Sequence, residues 1–92
     1  MFYIVSYDVI DDKQRTKLAK KLCNYGQRVQ YSVFECFLTK SQYKKMVKEI
    51  LEYIDEKKDS LRIYQLNKED KKQIKAFGLK RGFDEEEEAI IV

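Results

Sequence analysis

A chain of 92 residues, 43% of them hydrophobic, suits one small domain with a modest core, and no apolar run approaches the roughly 18 residues that span a bilayer. The chain has no histidine, which excludes Ser-His triads, histidine general bases and His-ligated zinc together. The net charge of +3 hides an asymmetry: Asp84 and Glu85 to Glu88 supply five of the 16 acidic residues, so the first 83 residues carry 19 basic and 11 acidic side chains, a net of +8. A body this basic fits a polyanionic partner, against the plainer reading of a solvated lysine-rich surface.

Met1 leads straight into a strand pattern without a basic segment, so no secretory leader is expected and the protein is read as cytoplasmic. Residues 2 to 8 are apolar toward both faces, as in a central strand, and close on Asp8. Asp11 is placed to cap a helix, with Gln14 three residues on completing a capping-box pattern. Leu18, Ala19, Leu22 and Cys23 form its buried stripe, and Gly26 suits a left-handed position just past its end. From Arg28 to Leu38 the apolar positions change phase, from odd (Val29, Tyr31, Val33) to even (Phe34, Cys36, Leu38). A period of two cannot switch phase without a bulge or turn, which places a break near Tyr31 to Val33.

A second helix is predicted from about Ser41 to Glu56, its stripe Tyr43, Met46, Val47, Ile50, Leu51 and Ile54. A strand follows over Leu61 to Leu66. Asn67 then caps a short helix covering Glu69 to Ala76 that ends at Gly78. The acidic residues read as a turn before a last short strand, Ala89 to Val92. The order βαββαβ with an appendix is the ferredoxin-like α+β arrangement in one domain, residues 1–92. Its open sheet face needs cover, which a homodimer would supply. The segment 84–92 is expected to take part, its strand pairing with a partner's sheet edge.

Asp8 carries the sharpest chemistry. A carboxylate at a strand end can give one hard oxygen to Mg²⁺, which takes one or two protein carboxylates and keeps several waters. The competing reading is a loop carboxylate that caps backbone amides. A second metal ligand is not evident within the chain, so an Asp8 from each protomer of a dimer is the simplest pair. Arg15, in the first turn of the first helix, suits either a phosphate or an ion pair with Asp11 or Asp12. Arg28, Gln30 and Ser32 alternate onto one strand face, where burying three polar groups is costly, so that face is expected to meet solvent or a nucleic-acid backbone. Tyr7 and Phe34 can stack on bases, against the default of aromatic core packing. Cys23 and Cys36 lack metal-ligand spacing and read as reduced core thiols.

Taken as a string, Tyr7-Asp8-Val9, the Asp11-Asp12 pair with Arg15 behind it, and Gly26-Gln27-Arg28-Val29-Gln30-Tyr31-Ser32-Val33-Phe34-Glu35 resemble the small CRISPR-associated protein 2 family. The amphipathic second helix and Ile63-Tyr64-Gln65-Leu66 fit as well, so the resemblance covers nearly the whole chain. It implies a ferredoxin-like homodimer and a metal-dependent endonuclease acting on single-stranded RNA or double-stranded DNA. Asp8 then stands as catalytic residue and ligand to Mg²⁺ (or Mn²⁺), with Arg15, Arg28 and Phe34 alongside it toward nucleic acid. The resemblance further implies that the protein bridges dimers of the integrase, CRISPR-associated protein 1. Where some relatives place a second arginine soon after the first, this chain has Lys17, which keeps the charge but loses bidentate geometry. Two readings stand: a Mg²⁺-dependent nuclease, and a non-catalytic scaffold that grips DNA for the integrase. A plain RNA-binding sheet of the RRM type lacks its aromatic-rich motif.

Overall fold

The first strand, β1 (Phe2–Asp8), runs inside the sheet, as its two apolar faces require. The computed structural model describes residues 1–79; the predicted acidic turn and Ala89 to Val92 strand lie outside the described residues. Helix α1 (Asp12–Leu22) follows, and the Asp11 side chain accepts the Gln14 amide at 2.9 Å, one of the two bonds of the predicted box. Strands β2 (Gly26–Gln30) and β3 (Val33–Phe37) flank a turn at Tyr31-Ser32, where the phase change placed the break. Helix α2 (Lys40–Ile50) runs on into a 3-10 turn, Leu51–Tyr53, so winding stops short of Glu56. Its start is set by a complete capping box between Thr39 and Gln42. Strand β4 (Ser60–Leu66) precedes α3 (Lys68–Lys72), which Asn67 caps through the Asp70 amide at 2.7 Å. That helix is shorter than predicted, and Gly78, at φ 84°, takes the left-handed turn that glycine tolerates.

The described strands form one antiparallel sheet in the order β2-β3-β1-β4, the ferredoxin-like order. Alternation along β1 sends Tyr3, Val5 and Tyr7 toward the helices, where they meet Phe34 and Cys36 of β3, Leu18 and Leu22 of α1, and Met46 and Ile50 of α2. Each large side chain fully buried there contributes about 1.5–3 kcal/mol over leaving it in water. The stacked rings of Tyr3 and Tyr43, 4.5 Å apart, fix α2 against β1. The opposite face carries Phe2, Ile4 and Val33, with Phe37 54% and Tyr64 47% exposed. The Lys71 ammonium of α3 lies over the Phe2 and Phe37 rings at one end of it.

Three expectations are corrected. Cys23 is exposed, because it is the C-cap residue at which the chain leaves the helix surface. Gly26 is not a left-handed cap. The end of α1 closes through bonds from Asn24 to the Lys21 carbonyl and from Tyr25 to the Leu22 carbonyl, and Gly26 opens β2 without a positive φ. Glycine is needed there for room: a Cβ would stand 2.2 Å from the Glu35 carbonyl oxygen and 2.6 Å from the Cys36 sulfur. Third, Arg28, Gln30 and Ser32 do not share a face. The register steps from Arg28↔Phe34 to Gln30↔Val33, a bulge that leaves Val29 unopposed. Arg28 therefore sits with Phe34 on the helix side and Gln30 with Val33 on the open side, while Ser32 falls in the turn.

Candidate nucleic-acid and metal site

The C-terminal end of β1 gathers most of the predicted residues. Tyr7 is buried toward the helices, so its neighbour Asp8 points to the opposite side, beside Ser60 of β4, and is exposed. Among the described residues its carboxylate takes no hydrogen bond and no ion pair, so the capping role weighed for it is not filled. Ser32 is held to the same end by the bond from the Tyr7 amide to its carbonyl, 3.1 Å.

Arg15 reaches back from α1 over the loop that follows Asp8. Its Nη1 donates to the Val9 carbonyl at 2.9 Å, and its Nη2 to the Asp12 carboxylate. The Asp12 bond raises the guanidinium above its ordinary pKa. Asp12 is 87% exposed at its side chain. A phosphate approaching Arg15 must therefore share the guanidinium with Asp12 or displace it.

The guanidinium of Arg28 lies over two rings, 5.7 Å from the Tyr31 centroid and 5.4 Å from that of Phe34, with a long contact of 3.5 Å to the Tyr7 hydroxyl. Phe34 itself is fully buried. It offers no face to a base and serves as the floor on which Arg28 rests. Between α1 and the β2–β3 turn these groups enclose an open cleft of about 310 Å³, whose lining includes Arg15, Lys20, Cys23, Arg28 and Tyr31. Gln30, on the other sheet side, and Lys17, exposed on α1, do not line it.

Tyr31 and Lys20 escaped the sequence reading. Tyr31 counted as an apolar position of the alternating segment, yet it stands in the turn with 82% of its surface exposed. An aromatic residue inside a predicted strand break was the available signal. Lys20 belongs to no motif and lies on the exposed side of its helix.

Mg²⁺ asks for one or two carboxylates and otherwise for water and phosphate oxygens. A free, exposed carboxylate at a strand end fits half of that demand. No group of three or more His, Cys, Asp or Glu side chains suited to a metal exists among the described residues, which leaves Asp8 to be completed by water, phosphate oxygens or a carboxylate from a partner. No helix among them is long and apolar enough to cross a membrane.

The sequence profile described as "CRISPR associated protein Cas2" matches residues 1–74. The chain is 43% identical over 76 residues to the CRISPR-associated endoribonuclease Cas2 3 of Synechocystis sp., covering 83% of each chain. It is 41% identical over 95 residues to the CRISPR-associated endonuclease Cas2 of Halalkalibacterium halodurans, covering 98% of this chain and 99% of that one. Among solved structures, Streptococcus pyogenes Cas2 superposes with a TM-score of 0.76 at 37% identity, over 85% of this chain and all of that one. A chain of a partial Cas6-RT-Cas1–Cas2 complex reaches 0.70 at 35% identity, over 82% of each. With most of its length matched by that profile and by relatives well above 30% identity, the chain belongs to the Cas2 family of CRISPR-associated proteins.

Proposed function

We propose that this protein acts in the acquisition of CRISPR spacer DNA as a nucleic-acid-binding homodimer that also cleaves phosphodiester bonds with Mg²⁺. The observation that carries the reading is the grouping at one strand end: an exposed carboxylate, Asp8, with no partner among the described residues, near a loop gripped by one arginine and a cleft lined by another. The names of the relatives from Synechocystis and Halalkalibacterium, an endoribonuclease and an endonuclease, agree with hydrolysis of RNA or DNA. The solved assembly that joins a Cas2 chain to Cas1 supports an integrase partner.

In this reading Asp8, one from each protomer, would hold the cation. When bound, Mg²⁺ supplies Lewis-acid neutralisation of the phosphodiester and lowers the pKa of a bound water. Arg15 and the cleft position the strand, with a phosphate sharing the Arg15 guanidinium with Asp12 or displacing it. The apolar open face, with Phe37 and Tyr64 half exposed, is the surface a second copy would cover.

A second reading is favoured by the basic body and the solved complex: a scaffold that grips duplex DNA and leaves the chemistry to the integrase. One experiment separates them. Cleavage of labelled RNA and duplex DNA with Mg²⁺ is compared for the wild type and Asp8→Asn. Under the nuclease reading the variant loses Mg²⁺-dependent cleavage while its circular dichroism and dimer stay intact, because Asp8 ties nothing together in the fold. Equal cleavage in both removes Asp8 from the mechanism, and silence in both supports the scaffold.

A further inference from the structure

We infer that the cleft between α1 and the β2–β3 turn receives one unpaired nucleotide of a strand, its base against the Tyr31 ring and its phosphate between Arg15 and Lys20. The inference rests on the nucleic-acid-binding reading above and adds the unit that is recognised and the residues that recognise it.

Size comes first. About 310 Å³ lies at the small end of ligand sites, too little for a duplex to enter and suited to a small organic ligand. Charge comes next. Among the described residues the lining carries three cations, Arg15, Lys20 and Arg28, and no carboxylate; Asp12 pairs with Arg15 from outside the lining, and the remaining positive charge suits an anion. Aromatic surface then narrows the class. Tyr31 contributes nothing to the core at 82% exposure, yet its ring is held in place by the Arg28 guanidinium lying over it. Arg28 is in turn backed by Phe34, which is fully buried. The result is a supported stacking surface at the mouth of a cationic cleft, the combination that binds single-stranded nucleic acid through stacking and backbone charge. Inorganic phosphate would use the cations and leave the ring idle. An acidic peptide would find charge but nothing to stack. A base inside a duplex has both faces covered by its neighbours, so the Tyr31 surface selects a base that is unpaired, splayed out or at an end.

Two cysteines make the test direct. Cys23 lines the cleft and is exposed, whereas Cys36 is fully buried, and burial pushes its thiol up to about 12. Alkylation by iodoacetamide therefore reports on Cys23 in the native protein. Its rate is measured on the wild type alone, then with a saturating single-stranded oligonucleotide, a blunt duplex, a nucleoside monophosphate, and ribose 5-phosphate. In parallel, the affinities of Tyr31→Ala and Tyr31→Phe for single strand and duplex are read by fluorescence anisotropy.

The expected result is protection of Cys23 by the single strand and by the nucleoside monophosphate, with little from ribose 5-phosphate or blunt duplex. Tyr31→Ala should weaken single-strand binding about 5- to 150-fold, leave duplex binding within about twofold, and be rescued by Tyr31→Phe, which keeps the ring. Tyr31 lies outside the core, so the folded state of Tyr31→Ala is checked by its unchanged circular dichroism. An oligonucleotide that binds without slowing alkylation, or a Tyr31→Ala variant that binds single strands like the wild type, overturns the inference while leaving nucleic-acid binding in place. Equal loss on single strand and duplex also overturns it. Failure of every nucleic acid to bind sinks this inference together with the reading beneath it.

Discussion

Gly26→Ala is a one-atom perturbation whose cost can be worked from the backbone. The new Cβ would stand 2.2 Å from the Glu35 carbonyl oxygen and 2.6 Å from the Cys36 sulfur, where real Cβ contacts begin at 3.0 Å. Going from 2.2 to 3.0 Å moves the carbonyl by at least about 0.8 Å. That retreat takes a ladder bond of about 2.9 Å to roughly 3.7 Å, beyond hydrogen-bond range. Overpacking of this kind costs about 1–3 kcal/mol, and a lost hydrogen bond a further ~0.5–1.5 kcal/mol. Restricting the unfolded chain returns about 0.4–1 kcal/mol. The net is a destabilisation of about 2 kcal/mol, a fall in Tm on the order of 8–16 °C for a domain of this size.

Thermal unfolding followed by circular dichroism, at matched protein concentration, measures it. Adding Cys36→Ala removes the sulfur obstacle and leaves the carbonyl one, so rescue should be partial. A Gly26→Ala variant that melts with the wild type, or one fully restored by deleting the thiol, would refute the close-approach argument.

Asp12→Asn should raise nucleic-acid affinity about two- to fivefold by freeing Arg15 from an exposed ion pair; anisotropy at fixed low salt checks it, and unchanged affinity would mean that Asp12 does not compete with phosphate. Arg15→Lys should weaken binding nearly as much as Arg15→Ala, because one ammonium cannot hold the Val9 carbonyl and meet phosphate as a fork does. Full activity in the lysine variant would reduce Arg15 to a point charge. Asp59 joins the β1–α1 loop to the turn before β4, accepting the Ile10 amide at 3.0 Å and the Asp55 amide at 2.8 Å. The Ile10 bond first, and then the Asp55 bond, hold its carboxyl below the ordinary value. A depressed folded pKa gives stability that is present above the unfolded pKa, about 3.9, and is lost as pH falls through the folded one. The wild type should thus lose stability more steeply than Asp59→Asn below about pH 4, and parallel curves of Tm against pH would discard this anchor.

The elements were legible where one period dominates. β1 is apolar on both faces and could only be internal, and the stripes of α1 and α2 follow the helical repeat through Leu18 and Leu22, and through Met46 and Ile50. The break at Tyr31-Ser32 was legible because alternation cannot change phase silently. Its consequence was not, since which side chain goes to which side depends on the residue that β3 opposes, and the bulge lies two residues before the turn, at Val29. Gly26 illustrates the same limit. Its position after a helix suggested a cap, whereas the reason for it lies in the carbonyl of Glu35 on the neighbouring strand. Within the candidate site, residue type and place picked out Asp8, Arg15 and Arg28, which the fold brings to the same end of β1. Phe34 was found with a different part to play, as the floor beneath Arg28. Tyr31 was hidden inside an alternation that the turn interrupts.

Two neighbouring residues divide the work at this strand end. Alternation sends Tyr7 into the helix layer and Asp8 to the open face, so under the proposed reading a cation held by Asp8 and a nucleotide in the cleft would lie on opposite sides of β1. A strand that reaches both must pass around the loop at Val9 and Ile10, and Arg15 is fastened to that loop through the Val9 carbonyl. The loop is braced from its other side by Asp59 on the Ile10 amide. Substitutions should accordingly separate by side: Asp8 governs cleavage without binding, Tyr31 governs single-strand binding without the carboxylate, and Arg15 affects both because it stands where the two sides meet.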